Sequence, residues 1–205
     1  MIIATEGIPF ILGGFGAAAV GYLLPWKNAG IAVTVLGVLL SAFCTFFFRD
    51  PERPLPQDPA RIYSPGDGRV LSVGAEDGKT TVRIFLSIFN VHIQRAPCAG
   101  TVSEVRYTPG TFRAAMKAEA AANERNRVTI AVEGRKESVE TEQIAGLIAR
   151  RIRCWVRPGD KVAAGERYGL IQFGSQAALH LPPSVRPLVK PGDVVRAGIT
   201  PIAQW

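Results

Sequence analysis

Histidine is scarce in this chain: of 205 residues only His92 and His180 carry an imidazole. Cysteine is nearly as rare. Cys44, Cys98 and Cys154 stand far apart, are odd in number and form no Cys-x-x-Cys pair. A disulfide framework and a structural metal site are therefore not expected, and a reducing compartment is the economical reading. There is also no Lys/Arg tract, although the formal charge is +7. A nucleic-acid footprint is not indicated, and attraction to anionic lipid accounts for the basic excess equally well.

Charge of either sign is missing from most of the first fifty positions. Twenty residues between Glu6 and Lys27 carry none, nor do the twenty-one between Lys27 and Arg49. A helical bilayer span needs about 20 apolar residues. Gly30 to Phe48 is the stronger stretch. The first is diluted by Gly13, Gly14, Gly16 and Gly21, which membrane helices tolerate because glycine lets a neighbouring helix approach. No basic segment precedes the first stretch and a second follows at once, which favours a hairpin over a cleaved signal peptide. Tyr22 and Trp26 suit an interfacial position. Arg49, Arg53 and Arg61 follow the second span, whereas the turn offers Lys27 alone. This bias puts the C-terminal domain on the cytoplasmic side of the cell (inner) membrane. The expected organisation is a membrane-associated helical hairpin at 1–49, a stiff proline-rich linker at 50–61, and a soluble domain at 62–205.

That domain reads as mainly β. Arg69–Val73, Thr80–Phe89, Gly100–Tyr107, Arg127–Val132, Ser138–Ile144, Arg151–Val156, Tyr168–Phe173 and Val185–Leu188 are predicted strands, punctuated by Gly-Asp, Pro-Gly and Asp-Gly turns. Ala-rich Phe112 to Asn126 favours helix instead, with a mobile loop as the alternative. An octapeptide repeats: Pro158-Gly159-Asp160-Lys161-Val162-Ala163-Ala164-Gly165 matches Pro191-Gly192-Asp193-Val194-Val195-Arg196-Ala197-Gly198. Paired turns of this kind occur in barrel-sandwich β domains, so the predicted fold is a compact domain of that type behind an apolar helical hairpin.

Chemistry gathers at few positions. The apolar run Tyr168–Phe173 ends in Gly174-Ser175, where a glycine allows close approach and a serine can attack. His92 ends another strand-like run, and Asp67 sits in the turn Ser64-Pro65-Gly66-Asp67-Gly68. Together these supply a nucleophile, a base and an acid to orient it, although spacing alone does not bring them together.

The motifs carry more in combination. Glu6-Gly7-Ile8-Pro9-Phe10, Phe47-Phe48-Arg49-Asp50-Pro51-Glu52-Arg53 and Ser64-Pro65-Gly66-Asp67-Gly68 come first. Phe89-Asn90-Val91-His92-Ile93-Gln94-Arg95-Ala96-Pro97, Asn123-Glu124-Arg125-Asn126, Gln143-Ile144-Ala145-Gly146 and Arg167 to Ser175 follow. In this order they resemble the short, membrane-associated class of phosphatidylserine decarboxylase, a pyruvoyl-dependent family made as proenzymes. The resemblance implies that Ser175 attacks the Gly174 carbonyl and becomes a pyruvoyl cofactor, with no metal. Residues 1–174 and 175–205 would then form a heterodimer of large and small chains. It implies His92 as base and Asp67 as its orienting group. The substrate is implied to be phosphatidylserine, decarboxylated to phosphatidylethanolamine through a Schiff base to its serine amine. Arg95, Arg113, Lys117 and Arg125 are candidates for the headgroup phosphate or carboxylate.

Two departures from that pattern stand out. The usual Arg and Val-Asp after Gly-Ser are replaced by Gln176-Ala177-Ala178, which leaves open how the new terminus is held. Arg95 stands where long-form relatives have a second histidine. The rival readings are a membrane-tethered biotinyl- or lipoyl-type carrier, whose lysine would be Lys117 in Ala115-Met116-Lys117, and a decarboxylase of a related serine lipid or of a soluble amino acid.

Overall fold

The computed structural model describes residues 2–113, 122–146, 151–173 and 175–205, with Ser175 described through its backbone. Contacts divide the chain into two units, one ending at Glu52 and one running from Arg53 to Trp205.

In the first unit a short strand β1 (Ile2–Ile3) pairs with β2 (Arg49–Asp50), closing off helices α1 (Ile8–Leu23) and α2 (Lys27–Phe47). Both helices are long and apolar enough to cross a membrane. Their mutual face is made of small residues. A Cβ at Gly14 would lie 2.8 Å from the Gly37 carbonyl oxygen, and one at Gly37 would lie 2.5 Å from the Ala18 nitrogen. The backbones thus approach too closely for any side chain at either position. The Ser41 and Thr34 hydroxyls donate across the seam to the carbonyls of Ile11 (2.9 Å) and Ala18 (3.2 Å). Leu12, Phe15, Val20, Leu36, Leu39 and Leu40 are left exposed on the outside. Small residues inward and bulky apolar residues outward is the pattern of helices solvated by lipid.

The second unit is built of β3 (Arg61–Tyr63), β4 (Gly68–Glu76), β5 (Lys79–Leu86), β6 (Ile93–Arg95), β7 (Gly100–Thr108), β8 (Arg125–Val132) and β9 (Ser138–Ile144). It continues through β10 (Ile152–Cys154), β11 (Lys161–Val162), β12 (Arg167–Ile171), β13 (Ser175–Leu181), β14 (Arg186–Pro187), β15 (Val194–Val195) and β16 (Pro201–Gln204). One antiparallel sheet runs β11-β7-β8-β9-β13-β5-β4-β15, and two small ones run β10-β12-β6 and β14-β16-β3. The mainly β fold and the apolar hairpin are as predicted.

The sheet order shows that the repeat is larger than an octapeptide. β15-β4-β5-β13 and β11-β7-β8-β9 are two copies of one four-stranded unit, joined where β13 meets β9. Each copy has its own small sheet. The bonds coincide. Gly192 donates to the Val70 carbonyl and Gly159 to that of Val102 (2.9 and 2.8 Å), while Gly198 donates to Ser64 and Gly165 to Ala96 (both 2.8 Å). Asp193 and Asp160 accept from the backbone nitrogens of Lys190 and Arg157 (2.9 and 2.7 Å). Gly159, Gly165, Gly192 and Gly198 all have positive φ, between 67° and 97°, which explains why glycine recurs at those four positions.

Alternation packs the core. Val82, Ile84 and Leu86 of β5, Val128 and Ile130 of β8, and Ala177, Leu179 and Leu181 of β13 are buried in one cluster with Tyr168. Burying such a side chain is worth about 1.5–3 kcal/mol. The predicted helix over Phe112–Asn126 is corrected at its end, where β8 begins at Arg125 and pairs with Thr108 and Ile144. Cross-strand pairing overrides the helical composition there. Ala114–Ala121 lie outside the described residues. Ser175–Leu181, where no strand is predicted from sequence, forms the central strand β13.

Candidate active site

The starts of β4, β8 and β13 and the ends of β5, β7 and β9 share one end of the large sheet. There Ser175 pairs with Leu86, and Gln176 with Ile144. The first residue of β13 thus has a ladder partner only on the β5 side, and both neighbouring strands flank it from Gln176 onward. Gly66 lies against this corner. A Cβ there would meet the Ala177 Cβ at 3.2 Å and the Leu86 side chain at 3.3 Å, so the Ser64–Gly68 turn packs tightly beside β13.

His92 is fully buried between β5 and β6. Its backbone carbonyl accepts from Ile171 at 3.3 Å, which ties it to the segment leading into Ser175. Its Nδ1 lies 3.0 Å from the Asn90 carbonyl oxygen. A carbonyl only accepts, so in the neutral ring Nδ1 carries the proton and Nε2 is the basic nitrogen. Asn90 is itself fixed, because its Oδ1 accepts from both the nitrogen and the hydroxyl of Ser87 (2.9 and 2.8 Å).

Asp67 is buried, and its carboxylate engages other partners than His92. Arg53 grips it through two bonds, Nη1 to Oδ1 at 2.7 Å and Nη2 to Oδ2 at 2.8 Å, and the Ala197 nitrogen donates to Oδ1 at 2.7 Å. The group seen on Nδ1 of His92 is a backbone carbonyl rather than this carboxylate.

Phe173, next to Gly174, has φ 62°. This is the left-handed region, where a bulky side chain is an outlier. Beyond the junction, buried Gln176 accepts at Oε1 from Nη1 of Arg83 (3.0 Å), which is bonded to Glu76 through Nε and Nη2 (2.8 and 2.6 Å). The residue that departs from the family pattern therefore draws its cation from the neighbouring strand.

The four candidate cations separate. Arg95 is buried and donates from Nη1 to the Gly165 carbonyl at 2.9 Å, inside the fold. Arg113 is exposed, and its backbone nitrogen and carbonyl are held by the Asn123 amide (2.7 and 2.9 Å). The same amide donates to the carbonyl of Ala145 at 2.8 Å, at the end of β9. Lys117 lies outside the described residues. Arg125 lines a pocket of about 390 Å³ with Arg106, Arg127, Thr108, Asn123 and Glu142. Burial pushes the Glu142 carboxyl up, but His180, Arg127 and Arg125 outweigh it and hold the group below its ordinary value. Among the described residues, no three His, Cys, Asp or Glu side chains are grouped to hold a metal ion.

Sequence reasoning missed Arg53, Arg83, Asn90 and Asn123 as parts of this site. Arg53 had a signal, since it closes the Phe47–Arg53 motif. Arg83 had none, because its partners are 7 and 93 positions away.

A sequence model described as phosphatidylserine decarboxylase matches residues 40–203. Three relatives bear the name phosphatidylserine decarboxylase proenzyme. The protein of Solibacter usitatus is 44% identical over 100% of this chain and 97% of its own. That of Paraburkholderia xenovorans is 42% identical over 99% and 97%, and that of Desulfotalea psychrophila 39% over 98% and 96%.

Proposed function

The chain belongs to the phosphatidylserine decarboxylase family, and on that premise we propose how its own residues act. It is a lyase that decarboxylates phosphatidylserine to phosphatidylethanolamine in phospholipid synthesis, and it is made as a proenzyme. The single observation that carries the reading is this near-full-length match to proenzymes, in a chain whose Gly174-Ser175 junction opens a central strand.

Self-cleavage starts at that junction. His92 takes the Ser175 hydroxyl proton through Nε2, and the oxygen attacks the carbonyl carbon of Gly174. The C–N bond breaks as the ester C–O bond forms, leaving the nitrogen as the amine of residue 175. Loss of the Cα proton of residue 175 then expels the Gly174 carboxylate from Cβ. Water replaces the amine as ammonia, and a pyruvoyl group heads the small chain. The residues present fit this group. The serine sits at a strand end next to a glycine, and a buried imidazole with a defined tautomer is tied to the segment before it. When formed, the group supplies an electrophilic carbonyl that binds the lipid's serine amine and accepts the electron pair released with carbon dioxide.

The other side chains hold and exclude. His92 keeps a proton to return to the substrate carbon. Asp67 supports it as a fixed negative charge at the same end of the sheet. Arg125, two strand spacings or about 10 Å from β13, faces the headgroup phosphate or carboxylate from its pocket, and Arg113, whose backbone is held by Asn123 of the pocket lining, is a second cation for it. Arg95 acts through the fold instead. After cleavage the small chain, 175–205, stays with the large chain, 1–174, as a heterodimer. In support, β13 lies between β5 and β9, β15 pairs with β4, and β16 pairs with β3. The apolar hairpin associates with the membrane. The excess of arginine after α2 supports a location in the cell inner membrane with the catalytic unit on the cytoplasmic side.

Intact-mass measurement of the wild type beside Ser175→Ala tests this, together with conversion of phosphatidylserine in mixed vesicles. Two chains split between 174 and 175 in the wild type, a blocked terminus on the smaller, and one inactive chain in the variant are expected. An uncut wild type that still decarboxylates refutes the mechanism.

A further inference from the structure

We propose that Arg53 is a positioning residue of the active site, which makes the linker after the hairpin part of the machinery for self-cleavage and decarboxylation. The proposal rests on Gly174-Ser175 being the cleavage junction.

The contact is specific. The Arg53 guanidinium meets both oxygens of Asp67 as a fork and also donates from Nη1 to the Ala197 carbonyl at 2.7 Å. The Ala197 nitrogen donates back to Asp67 Oδ1, which closes a ring of four bonds. The side chains of Arg53 and Asp67 are only 9% and 12% exposed. A buried ion pair is weak evidence of a stabilising role, because an apolar pair of similar volume commonly serves a fold as well.

The duplicated architecture provides an internal control. The turn from Ser64 to Val70 recurs as Ala96 to Val102, with Pro97, Gly100 and Val102 in place of Pro65, Gly68 and Val70 and with the same backbone bonds. Ala99 stands at the counterpart of Asp67, and Ala164 at that of Ala197. Ala99 and Ala164 border a cavity of about 450 Å³ together with Pro56, Val132, Asp58, Arg61 and Glu133. The second copy therefore makes this turn with no carboxylate in the turn itself; the Arg61–Asp58 pair that borders the cavity is a half-exposed contact at 3.5 Å and not a buried fork. Among the described residues the buried bidentate pair to a turn carboxylate is found in the copy that contains β13, and a need set by the turn's own geometry would apply to both copies. The function it serves there is to hold the Asp67 carboxylate immobile at the end of the sheet where β13 begins.

The test uses the full-length protein in detergent. Arg53→Met should slow self-cleavage, followed by intact mass, about tenfold or more, the scale on which small displacements of a catalytic group act. Arg53→Lys should recover part of the rate, since it restores the charge but not the fork. Asp67→Asn should match Arg53→Met, and the double variant should be no slower than either single one. In the fraction that matures, kcat should fall while KM holds. Arg53→Met leaves a buried carboxylate unpaired and should melt below wild type, whereas Arg53→Lys and the double variant should melt nearer to it. Wild-type cleavage in Arg53→Met overturns the proposal. So does an equal loss in Arg53→Met and Arg53→Lys accompanied by a common fall in melting temperature, because that assigns the pair to folding. An uncut wild-type chain overturns the underlying reading of the junction, and the proposal with it.

Discussion

Phe173 offers the most direct way to test whether the backbone before the junction contributes to cleavage. Its φ of 62° puts a β-carbon where L residues are disfavoured. Such a conformation costs about 1–2 kcal/mol for a residue other than glycine. If the shift from amide to ester relaxes that residue, the strain raises the ground state and lowers the barrier by the same amount. Phe173→Gly removes the penalty and should slow self-cleavage about 5- to 30-fold, taking 1.4 kcal/mol as tenfold. Phe173→Leu keeps the β-carbon and should cleave at nearly the wild-type rate. Phe173→Asn, which tolerates this region better, should fall between them. The assay is the time course of uncut chain after rapid dilution from a non-permissive pH, read by intact mass. Cleavage of Phe173→Gly at or above the rate of Phe173→Leu refutes the argument, since it would mean that freedom, not strain, governs the step.

Other consequences are testable in the same preparation. His92→Asn keeps an Nδ1-like donor for the Asn90 carbonyl but has no basic nitrogen, so uncut chain should accumulate; full processing with normal turnover would remove His92 from the mechanism. Gln176→Ala and Arg83→Met both break the tie beside the new terminus, so each should lower kcat about tenfold, the double variant no further, as for one shared interaction. Glu142 is held below its ordinary value, so its contribution to stability is present above the unfolded carboxylate value of about 4.3 and is lost as pH falls through the lowered folded value. Glu142→Gln should therefore be less stable than wild type by about 2 kcal/mol near pH 7. Thermal melts should show that difference closing below pH 4, and a constant difference would contradict the assignment.

Much of the architecture is legible in the sequence because it rests on local pattern. The hairpin follows from two uncharged stretches, and most strand positions follow from β-branched residues between turn dipeptides. The four repeat glycines are visible as punctuation, and the structure adds that each adopts positive φ. Local pattern gives no strand after Gly174, because Gln176-Ala177-Ala178 has weak β-propensity. Only flanking by β5 and β9 makes that segment a strand, and a partner 90 residues away leaves no trace in local composition. Composition misleads in the same way at Arg125, where a helix-favouring stretch yields to ladder bonds with β7 and β9.

The site divides in the same way. Sequence by itself supplied the candidates for the reactive groups, since a chain with two histidines and one Gly-Ser junction after a strand-like run offers few alternatives, and the ordered motifs carried the resemblance to the family. Tertiary structure alone decided their states. It selected the His92 tautomer by placing a carbonyl against Nδ1, turned Arg95 inward to Gly165, and gave Asp67 to Arg53. Proton position and ion pairing depend on which acceptors lie within about 3 Å, a distance that folding sets between residues far apart in the chain.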